Sequence, residues 1–188
     1  MNQQGTKQLE TQHLYLRKFV EDDSEQLYFN VMSDKNVFKY FAFSIHKGIS
    51  ETRQCIENWI QEYKKENTYI WAIVEKESNQ VIGNINLDSL YLPLLQVGEL
   101  AYFIGTKWWG KGYATEAVSE VIKYLFSSEK VFLIEAKHSS QNMASGRVLI
   151  KAGMKKEAVL KNRRIDKETG ERFDLIIYSV QNGKINIV

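Results

Sequence analysis

Residues 108–117 read WWGKGYATEA, two tryptophans that run into two glycines and then into a helix-forming stretch. Glycine allows backbone conformations and close approaches that a side chain prevents. The first N–H groups of a helix also have no partner within the helix. The stretch therefore predicts a strand that ends near Gly105, a bare loop, and a helix start whose free amides suit an anion, typically a pyrophosphate.

Three phosphate interpretations of this stretch are open at this point. Residues 105–112, GTKWWGKG, nearly match the phosphate loop G-x-x-x-x-G-K-[ST], but Gly112 stands where the Mg²⁺-binding hydroxyl belongs. The dinucleotide fingerprint G-x-G-x-x-G begins at Gly110 but meets Thr115 at its third glycine. The anion-binding helix start is the third interpretation. The plain alternative to all of them is a glycine turn that merely begins a helix.

The composition is that of an ordinary globular chain. Its 188 residues are 44% hydrophobic and 26% charged, and the net charge of +2 gives no reason to expect nucleic acid or a membrane as a partner. The single cysteine, Cys55, lies on an apolar helix stripe and suits a reducing cytoplasm. No secretory leader or membrane span of ~20 apolar residues is visible. We expect a cytoplasmic protein with one domain over residues 1–188, its core at about 11–180 and a short C-terminal tail.

Hydrophobic periodicity predicts the element order β-α-α-β-β-β-α-β-α-β-β. This order favours an α/β (α+β) domain with a mixed, mostly antiparallel sheet of about seven strands and helices on both faces. It does not fit a doubly wound parallel fold. The predicted strands cover about 13–19, 69–75, 80–87, 97–104, 131–136, 155–163 and 172–180, and the predicted helices about 22–32, 49–65, 112–127 and 142–152.

A second motif, NMASGRVLIKAGM, fills residues 142–154. Together with WWGKGYATEA it resembles the GNAT N-acetyltransferase superfamily, whose pyrophosphate motif R/Q-x-x-G-x-G/A is matched by residues 109–114 with Trp109 in the basic position. The chain is most similar to the ribosomal-protein N-terminal (serine/alanine) acetyltransferase-like branch. Residues 11–17, TQHLYLR, match that branch's opening except at His13, and Met154 replaces an aromatic residue. Further matches are Asn142, Ala144, Ser145, Lys151, Gly153, Asp174, Tyr178 and Ser179.

The resemblance implies direct transfer of an acetyl group from acetyl-CoA to a primary amine, with no metal. It implies Glu99, in the strand GELAYFIG, as the base and Ser145 as the acid that protonates the leaving thiolate. The plain alternatives are a polar residue on an exposed strand and a helix-terminal hydroxyl. Trp109 is expected to line the glycine loop by packing against it. The implied CoA contacts are Phe103, Ile104, Trp109, Gly110, Lys111, Gly112, Tyr113, Ala114, Thr115, Asn142, Ser145 and Arg147.

The acceptor side is less defined. Residues 38–45, FKYFAFSI, correspond to one lip of the family's acceptor site, with core packing as the alternative; the implied contacts are Phe38, Tyr40 and Phe41. The apolar loop 90–95, LYLPLL, is a possible homodimer contact or a substrate wall. His138 is expected to be merely exposed, and no residue cluster has metal-ligand spacing. The acceptor stays open between a protein N-terminus and a small-molecule amine, and a non-catalytic CoA-binding sensor or scaffold is the alternative function.

Overall fold

The computed structural model describes residues 5–41, 43–91, 95–128, 131–166 and 169–183. In this part the chain forms one eight-stranded open sheet with helices on both faces. The strands are β1 (Leu9–Glu10), β2 (Leu14–Arg17), β3 (Tyr69–Glu75), β4 (Gln80–Tyr91), β5 (Val97–Ile104), β6 (Leu133–Ser139), β7 (Lys155–Ile165) and β8 (Arg172–Gln181). The helices are α1 (Asp23–Leu27) with a π-helical turn after it (Tyr28–Met32), α2 (Ile49–Glu62), a 3₁₀ turn (Thr106–Trp108), α3 (Tyr113–Ser128) and α4 (Met143–Lys151).

The sheet order is β1-β2-β3-β4-β5-β6-β8-β7, and each pair of neighbours is antiparallel except β5 and β6. The predicted mixed, mostly antiparallel architecture is confirmed. The extra strand is β1, in which Leu9 pairs with Leu16. A two-residue strand carries no periodicity, so the sequence pattern could not reveal it.

Helices α3 and α4 cover one face of the sheet. Val118, Val121 and Leu125 of α3 are fully buried, because spacings of three and four residues place them on one side of a helix. They share a core with strand residues such as Trp71 and Ile85. This packing sets the start of α3 against the end of β5, where the glycine loop lies.

Helices α1 and α2 cover part of the opposite face. Ile56 of α2 is fully buried against Ala72 and Val74 of β3. Cys55 beside it is half-buried, and desolvation raises the pKa of its thiol to about 11, as expected for a packed thiol that stays protonated. Asp22 occupies the N-cap position of α1 without a side-chain cap hydrogen bond, and Asp23 accepts a hydrogen bond from the Val20 N–H (2.9 Å).

Candidate active site

The parallel pair β5–β6 opens partway along its length. The register runs from Val97 opposite Leu133 to Leu100 opposite Ala136, where the pairing ends. Beyond that point β5 continues to Ile104 beside β4, while β6 continues beside β8. Over residues 101–104 the described chain therefore places no strand on one edge of β5, and this stretch is called the open edge below.

The alternation of backbone directions shows which main-chain groups reach the open edge. The Gln96 carbonyl accepts from the Phe132 N–H on the β6 side, and the Gly105 N–H donates to Ile82 on the β4 side. Successive residues of a strand point their N–H and C=O groups to opposite neighbours. Tyr102 and Ile104 therefore face the open edge, whereas the main chain of Phe103 faces β4. Of the two predicted pantetheine contacts, Ile104 reaches this edge through its main chain, whereas the Phe103 side chain packs against Phe38 and Phe41.

The glycine loop meets the start of α3 beside this edge. Gly110 and Gly112 have φ of 78° and 85°, the left-handed region that favours glycine. A Cβ at either position would meet no atom within 4 Å, so the space beside the loop is open. The helical bond from the Glu116 N–H to the Gly112 carbonyl (3.0 Å) leaves the preceding amides without helical acceptors. These amides, from Gly112 through Thr115, and the positive end of the helix dipole fit a pyrophosphate.

The two tryptophans before the glycines face opposite ways. Trp108 is buried, with 8% exposure, and its indole N–H donates to Glu75 Oε2 at 2.9 Å. Trp109 is 55% exposed, and its indole N–H donates to the Ile104 carbonyl at 2.8 Å. Trp109 thus closes the end of the open edge with a hydrogen bond, a contact that the sequence did not predict.

A buried carboxylate, Glu75, lies beneath the glycine loop, and the sequence analysis did not predict it. It is 5% exposed and accepts hydrogen bonds from Trp108, from the Tyr113 hydroxyl (2.9 Å), from Ser78 (2.6 Å) and from Lys111 Nζ (3.3 Å). Burial raises its pKa, but these four hydrogen bonds outweigh burial and lower it to about 2. Glu75 therefore holds three side chains of the loop from below.

This network changes the expected role of Lys111. The ammonium predicted to meet the CoA phosphates is directed toward Glu75 Oε1, although the side chain is still 47% exposed. A lysine in this position compensates the buried charge beneath the anion site. The only signal for Glu75 in the sequence is its place as the charged end of an otherwise buried strand, YIWAIVE.

The start of α3 is also tied to the start of β2. Glu116 accepts hydrogen bonds from the His13 N–H (2.7 Å), from the Thr11 hydroxyl and from His13 Nδ1 (2.9 Å). Burial raises the pKa of Glu116, but these hydrogen bonds together lower it. His13, the departure from the branch motif, thus has a structural partner.

The N-terminal turn of α4 brings Ser145 to the open edge. Asn142 is the N-cap, and its Oδ1 accepts from the Ser145 N–H at 3.2 Å. The Ser145 hydroxyl lies 2.8 Å from the hydroxyl of Tyr102, which the sequence had not marked. Arg147 is exposed on the next turn. The helix motif and the strand motif therefore meet at one point, through Tyr102 and Ser145.

His138 was expected to be exposed, and the structure buries it. It is buried at 7% exposure, packs on Tyr178 (5.5 Å between ring centroids) and lies beneath Gly146 of α4. Its Nδ1 lies 2.7 Å from the Ser139 carbonyl, and its Nε2 has no hydrogen-bond partner among the described residues. Desolvation lowers its pKa. The helix α4 covers the end of β6, which is why this histidine is not exposed.

Glu99 lies on the opposite face of β5 from Tyr102. Its Oε2 accepts from Lys137 Nζ of β6 at 2.6 Å, and the two side chains are 24% and 20% exposed. The carboxylate predicted as the base is therefore already engaged by an ammonium. Lys137 is brought there by the parallel register, which no local sequence pattern indicates.

The aromatic residues of the predicted acceptor lip pack onto the same strand. Phe38 is buried, with 4% exposure, and Phe41 is half-buried; their rings lie 5.4 and 6.1 Å from that of Phe103. Phe38 is thus core packing beneath the lip, the alternative foreseen for it. Tyr40 is half-buried, and Lys39 lies over its ring.

The family follows from comparison with known proteins. The family model described as the acetyltransferase (GNAT) domain matches residues 13–155, and the chain therefore belongs to this family of acetyltransferases. The expected enzyme class is confirmed, and so is acetyl-CoA as the acetyl donor used by the family.

Particular relatives support the same assignment. The chain is 30% identical over 172 residues to the uncharacterized N-acetyltransferase YoaA of Bacillus subtilis, covering 92% of this chain and 95% of that protein. The fold is similar to the ribosomal-protein-S5-alanine acetyltransferase of Vibrio fischeri (TM-score 0.84, 19% identity, 97% and 100% coverage). It is also similar to the microcin C7 self-immunity acetyltransferase MccE in complex with acetyl-CoA and AMP (TM-score 0.80, 22% identity, 91% and 93% coverage).

Three further predictions concern partners. Within the described ranges no helix is long and apolar enough to cross a membrane. No group of three His, Cys, Asp or Glu side chains in this part of the chain could hold a metal ion. Residues 92–94 of the predicted dimer loop lie outside the described residues, so the homodimer stays a prediction; Leu95 after them is exposed.

Proposed function

We propose that the protein transfers the acetyl group of acetyl-CoA directly to a primary amine, either a protein N-terminus or a small-molecule amine. The observation that carries this proposal is the meeting of three elements at one opening of the sheet. The free amides of the glycine loop, the open edge of β5 and the hydroxyl of Ser145 all lie there. An acyl-CoA needs an anion site, a strand-like partner for its pantetheine amides and a donor for the departing sulfur.

The donor is bound by main-chain groups more than by charge. The pyrophosphate takes the amides from Gly112 to Thr115. The pantetheine arm pairs with the main chain of Tyr102 and with the Ile104 N–H as an added strand pairs with a sheet edge, because the Ile104 carbonyl already accepts from Trp109. Lys111 balances the charge of Glu75 beneath the loop, which prevents that carboxylate from repelling the phosphates. Arg147, exposed on α4, is available to the phosphates.

The acceptor approaches from the face of β5 that carries Glu99. Glu99 on this face is paired with Lys137 and stays partly exposed. An amine that is partly neutral at physiological pH needs little help. A protein α-amine has a pKa of about 8, against about 10.4 for a lysine side chain. α-Amines and other weakly basic amines are therefore the favoured acceptors, with proton removal through water to Glu99.

The reaction needs no covalent enzyme intermediate. The neutral amine attacks the thioester carbon, a main-chain N–H of the open edge stabilises the oxyanion, and the C–S bond then breaks with its electron pair on sulfur. The nitrogen loses one proton and the sulfur gains one, so no net proton is consumed or released. Ser145 is the side chain at the open edge that is able to donate to the sulfur.

Thiol release from acetyl-CoA tests this proposal across N-terminal peptides, polyamines and aminoglycosides. Gly112→Val should raise the KM for acetyl-CoA more than tenfold, since it fills the open space and disfavours the positive φ. Gly170→Val is the matched control, because Gly170 also has a positive φ (73°) and open space but lies in the β7–β8 turn. CoA binding without thiol release for any amine would favour the sensor or scaffold instead.

The base is tested separately. Glu99→Gln keeps the shape of the side chain and removes its proton-accepting charge. It should lower kcat about 10²-fold with a true acceptor. An unchanged kcat and pH–rate profile would remove Glu99 from the mechanism without affecting the donor site.

A further inference from the structure

The contact between Tyr102 and Ser145 joins β5 to α4 at the open edge. The Tyr102 hydroxyl lies 2.8 Å from Ser145 Oγ and 3.2 Å from the Ser145 carbonyl oxygen. One hydroxyl thus bonds both the side chain and the main chain of the residue proposed to face the leaving sulfur. The Asn142 cap fixes the Ser145 N–H at the same turn.

We propose that Tyr102 is a positioning residue that turns the hydroxyl proton of Ser145 toward the sulfur of acetyl-CoA as the thiolate forms. This inference rests on the proposed function, because it assigns a partner to the acid of that reaction. Tyr102 does not itself touch the reacting atoms through its side chain. Its main chain lies on the open edge, so the residue that pairs with pantetheine also orients the donor to its sulfur.

The two distances allow a change of hydrogen bonding without movement of heavy atoms. In the first arrangement the Tyr102 O–H donates to the Ser145 carbonyl, and the Ser145 hydroxyl donates to Tyr102. In the second, the Tyr102 O–H donates to Ser145 Oγ, and the Ser145 proton is free for the sulfur. Rotation of the two hydroxyl groups about their C–O bonds converts one arrangement into the other. Negative charge on sulfur favours the second, since it attracts the Ser145 proton.

The proton stays on Tyr102 throughout. Burial raises the pKa of this hydroxyl to about 12, although its hydrogen bond to Ser145 acts in the opposite direction. Tyr102 is therefore a neutral donor and acceptor at physiological pH. The C–S bond breaks, sulfur takes the proton of Ser145, and Ser145 regains through solvent the proton that the amine nitrogen loses.

Kinetics of three variants test the assignment: Tyr102→Phe, Ser145→Ala and the double variant. Tyr102→Phe keeps the ring and removes the hydroxyl, and should lower kcat about tenfold, the loss of about one hydrogen bond in the transition state. The dissociation constant of CoA, measured by calorimetry, should stay within twofold. The double variant should be no slower than Ser145→Ala, because Tyr102 acts through Ser145.

The matched control is Tyr124→Phe, which removes a buried hydroxyl whose bond to the Gly5 carbonyl (2.6 Å) lies away from the site. It should lower Tm without changing kcat. Unchanged kcat in Tyr102→Phe, or a double variant whose losses multiply, overturns the role of Tyr102 while Ser145 stands. Unchanged kcat in Ser145→Ala overturns the acid and its positioning residue together. A wild-type protein that binds CoA but releases no thiol with any amine overturns the proposed function as well.

Discussion

Glu75 offers a sharp test of how the glycine loop is supported. The buried carboxylate divides its four hydrogen bonds between two oxygens. Oε2 accepts from Trp108 and Ser78, and Oε1 accepts from Tyr113 and Lys111. Substitution by glutamine keeps the shape but turns one oxygen into an amide nitrogen, which faces two donors.

The cost of Glu75→Gln follows from which donors are able to adapt. The indole N–H of Trp108 cannot accept a hydrogen bond, whereas the Tyr113 hydroxyl is able to reverse and Lys111 is able to turn to solvent. The amide nitrogen should therefore take the Oε1 position. One charge-assisted network becomes a weaker neutral one, at a cost of about 2 kcal/mol in the free energy of unfolding. Glu75→Leu leaves the indole N–H without an acceptor as well, and should cost about 4 kcal/mol.

The same four hydrogen bonds lower the pKa of Glu75, and this shift makes stability depend on pH. The pKa of about 2, against 4.5 for an ordinary glutamate, corresponds to about 3 kcal/mol of stability at neutral pH. Because the folded-state pKa is depressed, this stability is fully present above pH 4.5 and is lost as the pH falls from 4.5 toward 2. Glu75→Gln should lose this acid dependence along with the stability.

Urea unfolding at pH 7 and at pH 4, with calorimetric titration of CoA, measures both effects. The matched control is Glu77→Gln, an exposed carboxylate in the following turn, which should change neither stability nor CoA affinity. We expect CoA affinity to weaken at least threefold in Glu75→Gln, because Glu75 holds the side chains of Trp108, Lys111 and Tyr113, which belong to the glycine loop. A stability within about 0.5 kcal/mol of wild type would refute the argument that this network organises the site.

Three other substitutions test separate parts of the structure. Gly146→Ala should lower the free energy of unfolding in urea by about 1–3 kcal/mol, because its Cβ would lie 2.7 Å from His138 Nε2. Gly183→Ala, where a Cβ has open space, is the control and should be neutral. Equal stabilities of the two variants would contradict this packing. Burial depresses the pKa of His138, so the unfolded chain takes up a proton at this histidine before the folded protein does, and stability should fall as the pH drops below 6.5. His138→Gln should flatten that decline when unfolding is measured from pH 7.5 to 5.5. An unaltered slope would argue against burial of a neutral His138. Trp109→Phe removes the bond to the Ile104 carbonyl and should raise the KM for acetyl-CoA a few-fold with little effect on Tm, whereas Trp108→Phe should lower Tm; the reverse pattern would contradict the two orientations.

The sequence predicted the local parts of this site well. The bare glycine loop at Gly110 and Gly112 and the start of α3 depend on residues within a few positions of one another. Such features leave a signature in a short stretch, because caps and turns demand particular residue types. The strand bounds of β3 and β5 match for a similar reason, since their apolar runs are flanked by turn residues.

The parts that were missed depend on contacts across the sheet. Glu75 meets Trp108 from 33 positions away, Lys137 meets Glu99 from 38, and Tyr102 meets Ser145 from 43. Sheet register and helix placement create these pairs, and neither is encoded in local periodicity. The buried His138 belongs with them, because the helix that covers it follows later in the chain.

We propose that the glycine loop, the open edge and Ser145 form one acetyl-transfer site. The most direct measurement follows acetyl-CoA labelled in its acetyl group, with thiol release and label on the amine recorded together. We expect one label on the acceptor for each thiol released by the wild-type protein and by Gly170→Val, with more than tenfold less of both from Gly112→Val at the same low acetyl-CoA concentration. Thiol release that leaves every amine unlabelled, or equal transfer by Gly112→Val, would contradict this assignment of the site.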